Sequence, residues 1–496
     1  MRAFASSFHA WKSLERQEGI KVPHGLVFPL AVLQAIGRPF GLELVAEEHT
    51  REGPIGCDAV FLSVLDSRCM IDAAKHFQAW SIPFRRSERG VGRWPLVWAG
   101  GQGLRNPRPL APVADLIVLG DAEDPLPALL RLWERHGNGS GFLSAASLVP
   151  GVFVPAHHHP TEVRLRQSVS ADIGVTLRND IRVSHDGSRR VEIARGCQYK
   201  CTFCSLGWTA PVRENAADDV LVEIRRSPKR VHLQAGDAES HSGIDDIRRA
   251  LREHGGMDQG WTGRLDSLFE NPDQTIPGQK RYAFGVEGVS YRLRAAVGKG
   301  YLTDERLVAD TCRFFENIEG QGKGRAAWHL IAGLPSETPD EIGHLERVVC
   351  AIDARRRGRT PRNLSLHWQP FQPLPGTPMQ WCAAGSGARR RAGILRHLDR
   401  LPWCPTRQVE GRTDAMAQVC TILSRADERG AALLEALAQG PVSPAAAELI
   451  AGVGPGQLNP DDWLPWDFID ATYGRDVLRK AYEVMMGRLG SAVHVG

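Results

Sequence analysis

Val191-Glu192-Ile193-Ala194-Arg195-Gly196-Cys197-Gln198-Tyr199-Lys200-Cys201-Thr202-Phe203-Cys204 is the stretch on which the fold of this chain turns. Val191 to Ala194 reads as a short buried strand. Gly196 breaks it, and three cysteines follow at the spacing C-x3-C-x2-C. A strand that runs straight into a ligand-bearing loop is the top of a β/α unit, whose chemistry sits at the C-terminal end of the strand. Thiolates are the ligands of iron–sulfur clusters. Three on one tight loop can hold three irons of a cubane and leave the fourth iron open. A structural zinc site is one alternative, but it takes four Cys or His ligands, and no fourth lies close in the chain. A chance recurrence of the spacing is the other.

Outward from that loop, strands and helices alternate. Strands are expected near 191–194, 231–235, 262–267, 282–287, 328–332 and 363–369, with amphipathic helices between. Glu341 to Arg357 is the clearest helix, with Ile342, Leu345, Val348, Val349 and Ile352 on one stripe. Six such units over residues 189–410 fit a partial (β/α)6 barrel of the TIM type. Residues 1–155 alternate in the same way. A helical stretch from Gly25 to Ile36 precedes short apolar strands at Ala59 to Leu62, Pro95 to Trp98 and Leu116 to Leu119, and a helix from Pro125 to His136. That pattern predicts an α/β domain with a doubly wound parallel sheet, Rossmann-like in class. Residues 156–188 read as a linker, opening on Pro155-Ala156-His157-His158-His159-Pro160. A metal role for the three histidines competes with the plainer reading of solvated side chains. Residues 411–496 read as a small, mostly helical C-terminal domain in which Trp463, Trp466, Phe468 and Tyr473 line a lid or plug.

Composition sets the frame. The chain has 496 residues, too many for one ordinary core, with 42% hydrophobic and 24% charged residues. A formal net charge of +4 is small for this length and neither demands nor excludes a polyanionic partner. No run of about 18 apolar residues occurs, so no membrane span is expected. The N-terminus has no secretory apolar region, which points to the cytoplasm and reduced thiols. Seven of the ten cysteines (Cys57, Cys69, Cys312, Cys350, Cys382, Cys404 and Cys420) share no spacing and read mostly as small buried hydrophobes.

The cysteine loop, with Phe203 as the aromatic before its last Cys, resembles the signature of the radical S-adenosylmethionine (SAM) superfamily. The resemblance implies a [4Fe-4S] cluster on Cys197, Cys201 and Cys204, with SAM chelating its open iron and releasing a 5′-deoxyadenosyl radical after one-electron reduction. Further stretches extend it over the barrel. Gln234-Ala235-Gly236-Asp237 closes the second strand, where Gly236 and Asp237 are expected at the SAM amino end. Gly263-Arg264-Leu265-Asp266-Ser267-Leu268 closes the third and brings Arg264. Phe284 to Arg294 resembles the fourth-strand segment, in which Glu287, Ser290 and Arg292 address ribose and carboxylate, as a carboxylate suits hydroxyls and an Arg fork suits a carboxylate. Gly333-Leu334-Pro335 resembles the fifth-strand turn, adding Ala332 and Gly333 to the cofactor set. Trp368-Gln369-Pro370-Phe371 and Pro375 to Trp381 resemble the sixth-strand segment of one subgroup and add Gln369. Each piece alone is an ordinary Gly/Pro turn; their order carries the resemblance.

That subgroup carries an N-terminal domain similar to cobalamin-binding Rossmann-like domains. Ser63-Val64-Leu65, Gly100-Gly101-Gln102-Gly103 and Asp115 to Asp121 match its weaker elements, while the D-x-H-x-x-G element is missing. Tryptophan methyltransferases of thiopeptide assembly bind cobalamin without that His, and the resemblance then implies Arg68 under the corrin; a relic domain packed as scaffold, without cobalamin, is the alternative. The resemblance leaves two reactions, of which the missing cobalt-ligating His favours the first. One is a radical rearrangement needing no second cofactor, as in the bacteriophage radical SAM isomerases that act on a modified thymine in DNA hypermodification, with nucleic acid or a nucleoside as partner. The other is cobalamin-dependent C-methylation of a small aromatic or peptide-derived substrate. Both imply a reductant protein such as flavodoxin or ferredoxin. Outside enzymes, the cluster would serve as an electron relay or sensor.

Basic runs do not decide between them. Arg225-Arg226-Ser227-Pro228-Lys229-Arg230 and Arg355-Arg356-Arg357-Gly358-Arg359 lie between a helix and the next strand, at the barrel end away from the chemistry, where Arg also complements the helix dipole. Arg389-Arg390-Arg391 with Arg396 and Arg400 is better placed for phosphates, although a solvated helix face explains it as well. Tyr199, Trp208 and Arg213 offer stacking to a flat substrate, or packing.

Overall fold

The computed structural model describes residues 1–6, 27–46, 53–90, 92–178, 189–227, 230–255, 257–258, 262–265, 281–319, 324–357, 364–385, 404, 406–408 and 413–490. They gather into two compact units. The first takes Met1–Arg190, Ile422–Gly454 and Asp461–Gly474; the second takes Val191–Thr421, Pro455–Pro460 and Arg475–Gly496. No helix among the described residues is long and apolar enough to cross a membrane.

The sheet of the first unit is built from β1 (Arg2–Ser6), β2 (Glu43–Ala46), β3 (Ala59–Ser63), β4 (Leu96–Gly100), β5 (Leu116–Val118) and β6 (Val152–Phe153), in the spatial order β2-β1-β3-β4-β5-β6. The first five run parallel and β6 lies antiparallel on β5. All five residues of β3 are buried, as a parallel strand covered on both faces requires. Helix Ser67–Ala79 is capped by Asp66, which accepts from the Arg68 N–H, and it buries Met70, Ala73, Ala74 and Phe77 along one stripe. Helix Pro125–His136 falls where the sequence put it, opening on a proline and ending at Gly137. Strand β1 escaped the sequence reading. Arg2-Ala3-Phe4-Ala5-Ser6 has no apolar run, yet its last four residues are buried between β2 and β3.

Three sequence expectations change here. Residues 411–496 do not form one domain. Helix Gly430–Gln439 packs on helix Ser67–Ala79 within the first unit. Glu435 pairs with Arg85 at 2.6 Å, Glu428 with Arg108 at 2.6 Å, and Asn106 donates to the carbonyls of Ser424 and Ala426. Helix Arg475–Gly490 belongs instead to the second unit. The aromatics at 463–468 are no lid. Phe468 is buried against Phe153 at 5.3 Å, and Trp463 lies 5.6 Å from the Arg108 guanidinium. Nor are the described residues of 156–188 a free linker. β7 (Leu165–Arg166) pairs in parallel with Ile469–Asp470, and Ser168 donates to the Leu119 carbonyl. In the histidine triplet, His158 accepts from the Val154 N–H at 3.1 Å and stacks on Phe153.

The second unit continues with β8 (Arg189–Glu192), β9 (Ala194–Arg195), β10 (Arg213–Glu214), β11 (Arg230–Gln234), β12 (Met257–Asp258), β13 (Thr262–Gly263), β14 (Arg281–Glu287), β15 (Arg325–Ala332), β16 (Leu364–Pro370) and β17 (Thr406–Gln408). Strands are neighbours in the orders β8-β11-β12 and β13-β14-β15-β16-β17, the second series all parallel. This is the stepwise β/α order of a partial barrel. β17 is an edge strand the sequence reading lacked. Along β15 and β16, Trp328, Leu330, Leu364, Leu366 and Trp368 are buried in one core with Leu345, Val348 and Ile352 of helix Ile342–Arg355. The alternate positions His329, Ser365, His367 and Gln369 are half-buried on the opposite, inner face.

Candidate functional site

The cysteine loop is pinned from several sides. It leaves β9 through Gly196, whose φ of +88° favours glycine. The Trp208 indole donates to the Cys201 carbonyl at 3.0 Å, and Lys200 donates to the Gly207 carbonyl. The Thr202 N–H donates to Val297 and its carbonyl accepts from Met379, both at 3.3 Å. Beneath, a β-carbon on Gly298 would stand 3.2 Å from the Cys201 Cα. Cys201 is buried, while Cys197 and Cys204 are half-buried. Burial pushes the Cys197 and Cys201 thiols up, Cys201 to about 11; the nearby Lys299 ammonium opposes this at both. Among the described residues, no three His, Cys, Asp or Glu converge on a point that one ion would occupy. A single tetrahedral zinc needs that convergence; a cubane takes its thiolates at separate irons.

Gly236 and Asp237 lie beside this loop. A side chain at Gly236 would run into the Gly196 carbonyl and come within 3.0 Å of the Cys197 Cβ. Asp237 is buried; it accepts from Ser240, which in turn accepts from Gln198 at 2.6 Å. Cys197, Asp237, Ser240, His241 and Glu214 line a cleft of about 410 Å³. Arg264 stacks on two rings, 3.9 Å from the centroid of Tyr199 and 3.6 Å from that of Tyr301. Phe203 packs half-buried against the core of the unit. Asp266 to Leu268 lie outside the described residues.

Glu287 ends β14 in a left-handed conformation, φ +66°, which a non-glycine residue adopts only when its surroundings enforce it. Burial lifts its carboxyl to about 7 despite Lys299, whose Nζ is 3.9 Å away. Ser290 and Arg292 point elsewhere. Ser290 donates to Glu341 at 2.6 Å, and Arg292 binds both Glu341 oxygens at 3.0 and 2.8 Å. Burial alone would raise the Glu341 carboxyl, but hydrogen bonds from Arg292, Ser290 and Thr338 outweigh it and hold it low. The two residues expected at a SAM ribose or carboxylate are thus committed to a helix-capping carboxylate. Ala332 accepts from the Phe371 N–H, and Gly333, at φ +83°, donates to Glu337 at 2.7 Å. Gln369 faces the inner side of β16.

The basic and aromatic side chains near the site are mostly used internally. Trp208 is buried under the cysteine loop, and Arg356 lies 4.6 Å from the Phe315 ring. Arg389 to Arg400 lie outside the described residues. The sequence reading missed Lys299, Glu341 and the pair His329 and His367, whose rings are 5.2 Å apart on adjacent strands. Alternation along β15 and β16 was the available signal for the histidines. Burial, then the neighbouring His367, lowers the His329 pKa.

Residues 34–155 match the family model of the radical SAM proteins' N-terminal domain. Over that segment the chain is similar to the N-terminal domain of radical SAM proteins. No curated protein matches its sequence. In fold it is similar to the radical SAM methyltransferase TsrM from Kitasatospora setae, solved with cobalamin and a [4Fe-4S] cluster bound, at 15% identity and a TM-score of 0.51 over 76% of this chain and 73% of that one. A second TsrM structure, with tryptophan and a SAM analogue, matches at 14% identity and a TM-score of 0.47 over 76% and 74%. The cobalamin-dependent SAM radical enzyme OxsB, solved with aqua-cobalamin, matches at 14% identity and 0.45 over 70% and 51%. The chain thus combines, in one polypeptide, a parallel sheet and a partial barrel, with three cysteines on the loop that follows β8 and β9.

Proposed function

We propose that this protein holds a [4Fe-4S] cluster on Cys197, Cys201 and Cys204 and is a cobalamin-dependent radical SAM C-methyltransferase of a small aromatic or peptide-derived substrate. The loop carries the reading: three thiols on one pinned turn, one buried and two half-buried, beside a cleft of about 410 Å³. The donor set fits, since iron–sulfur clusters are thiolate-bound and metal ligation ionises a thiol that burial alone keeps protonated. Bound there and reduced by an external one-electron donor, the cluster would supply the electron for reductive cleavage of the SAM sulfonium.

The chain's own residues bind and orient. Asp237 presents a buried carboxylate to the cleft it shares with Cys197, suited to an ammonium group, and its hydrogen bond from Ser240 fixes its direction. His329, His367, Ser365 and Gln369 give the inner barrel face donors and acceptors for a polar substrate. In the N-terminal unit, Gly101 sits at φ +124°, and a β-carbon there would meet the Val64 carbonyl at 2.5 Å, so the Ser63-Val64-Leu65 and Gly100 to Gly103 loops close on one another. These loops and Arg68, tied to Asp66 at 2.9 Å, are the residues that would meet a corrin without a ligating His. The fold likeness to TsrM supports methyl transfer; the modified-thymine rearrangement rests on the sequence resemblance alone.

Anaerobic reconstitution followed by mass spectrometry of products tests the reading. Iron and sulfide with absorbance near 400 nm are expected, lost in Cys201→Ala along with 5′-deoxyadenosine release. Retained cobalamin and a product heavier by one methyl group support methylation. A product of unchanged mass and altered retention, without cobalamin bands, returns the assignment to rearrangement.

A further inference from the structure

We propose that Lys299 is the counter-charge of the three-cysteine site, a buried ammonium that stabilises the cluster's negative charge and raises its reduction potential. The inference rests on the cluster reading above. Lys299 is 7% exposed. Its backbone belongs to the turn Val297-Gly298-Lys299, which lies under the cysteine loop through the Thr202–Val297 hydrogen bond and the Gly298–Cys201 approach. The turn is fixed in place by the Lys299 N–H, which donates to the Arg294 carbonyl at 2.7 Å.

The ammonium itself is poorly satisfied. The nearest carboxylate oxygen, on Glu287, stands 3.9 Å away, beyond hydrogen-bond reach. Among the described residues Nζ makes no hydrogen bond. A largely buried ammonium whose one carboxylate partner stands at 3.9 Å gains from an anion that completes its surroundings. The anion that this position addresses is the thiolate cluster, because the turn that carries Lys299 lies directly against Thr202 and Cys201 of the cysteine loop. A cubane on three thiolates is anionic and becomes more so on taking up an electron. A fixed cation in a low-dielectric surround therefore favours the reduced form. It also favours retention of the metal, since the unloaded site leaves the ammonium without its partner.

The test uses the full chain, reconstituted anaerobically without SAM, as wild type, Lys299→Met and Lys299→Arg. Iron and sulfide are counted, iron loss to a chelator is timed, and the midpoint potential is read by dye-mediated titration with electron paramagnetic resonance. Lys299→Met is expected to shift the midpoint to more negative values and to lose iron faster, with Lys299→Arg close to wild type. A fully loaded Lys299→Met at the wild-type potential overturns the proposal. So does a Lys299→Arg that shifts as far as the Met variant. If Lys299→Met takes up no iron while its apo form melts normally, the Arg variant decides: normal loading and potential support the charge, and failure overturns it. A wild type without iron and sulfide sinks the cluster reading itself, a separate outcome.

Discussion

The guanidinium of Arg264 stacks on the ring of Tyr199, 3.9 Å from its centroid, so a residue at the end of the third barrel strand grips the middle of the cysteine loop. Tyr301 takes the same guanidinium at 3.6 Å. A cation on two rings contributes about 1–2 kcal/mol where it is partly desolvated. Arg264→Leu is expected to lower apo stability by that order, read by urea denaturation, and to speed iron loss from the loaded chain. Arg264→Lys should recover only part, because an ammonium lacks the flat face that stacks. An Arg264→Leu variant with unchanged iron retention would show that the stack does not hold the loop.

Gly236 is where the second strand's loop comes closest to the first. Gly236→Ala puts a methyl group into the Gly196 carbonyl, which is backbone and cannot rotate away. The loop must shift, at a cost of about 1–3 kcal/mol. Iron uptake should fall sharply while the far-ultraviolet circular dichroism stays unchanged. Normal uptake would mean that the loop tolerates displacement.

Glu341 holds Ser290 and both arms of Arg292. Removing it in Glu341→Ala leaves a mostly buried guanidinium unpaired, at a cost of about 3 kcal/mol, seen as a drop in melting temperature. Arg292→Lys should lower stability as well, yet leave the SAM dissociation constant of the folded, loaded protein within a factor of about two. A large loss of SAM affinity would restore Arg292 to the cofactor.

Glu287 makes stability depend on pH in a defined direction. Its carboxyl rises from 4.5 unfolded to about 7 in the fold. Between those values the folded chain keeps a proton that the unfolded chain has released. Its contribution is full below about pH 4.5 and is lost as pH rises through 7. From about pH 5.5 to 8.5 the apo protein should lose about 2 kcal/mol through this group. Glu287→Gln should remove that slope in urea denaturation at the two pH values. An equal slope in the variant assigns it to another group.

The strands Arg230–Gln234, Arg281–Glu287, Arg325–Ala332 and Leu364–Pro370 and the helix Ile342–Arg355 were legible because each has an apolar stripe or run, whereas Met257–Asp258 and Thr406–Gln408 were missed as too short to show one. β1 was not legible either, since Ala3, Ala5 and Ser6 are buried as small residues that no hydropathy pattern distinguishes from a loop. The cysteine loop was legible because ligand spacing is local. Ser290 and Arg292 misled because sequence shows which donors a helix start carries but not that Glu341, about fifty positions on, would take them. Lys299 was invisible for the same reason. Its importance comes from burial under Cys201, and a lysine between two glycines reads as a surface turn. The tail was misjudged as one domain because helical periodicity says nothing of which neighbour each helix will cover.

The two hydrogen bonds on the Thr202 backbone have a common support. Val297 follows helix Tyr291–Ala296, and Met379 lies in the turn Pro378–Trp381; helix Arg475–Gly490 packs on both segments. Arg488 donates to Ala295, Arg292 donates to Leu489, and Tyr482 meets Trp381 at 5.4 Å. The last described helix thus acts as a buttress for the cysteine loop, which lies far earlier in the chain. A protease nick at the turn before Arg475 would free that buttress and leach iron from a loop it never cut.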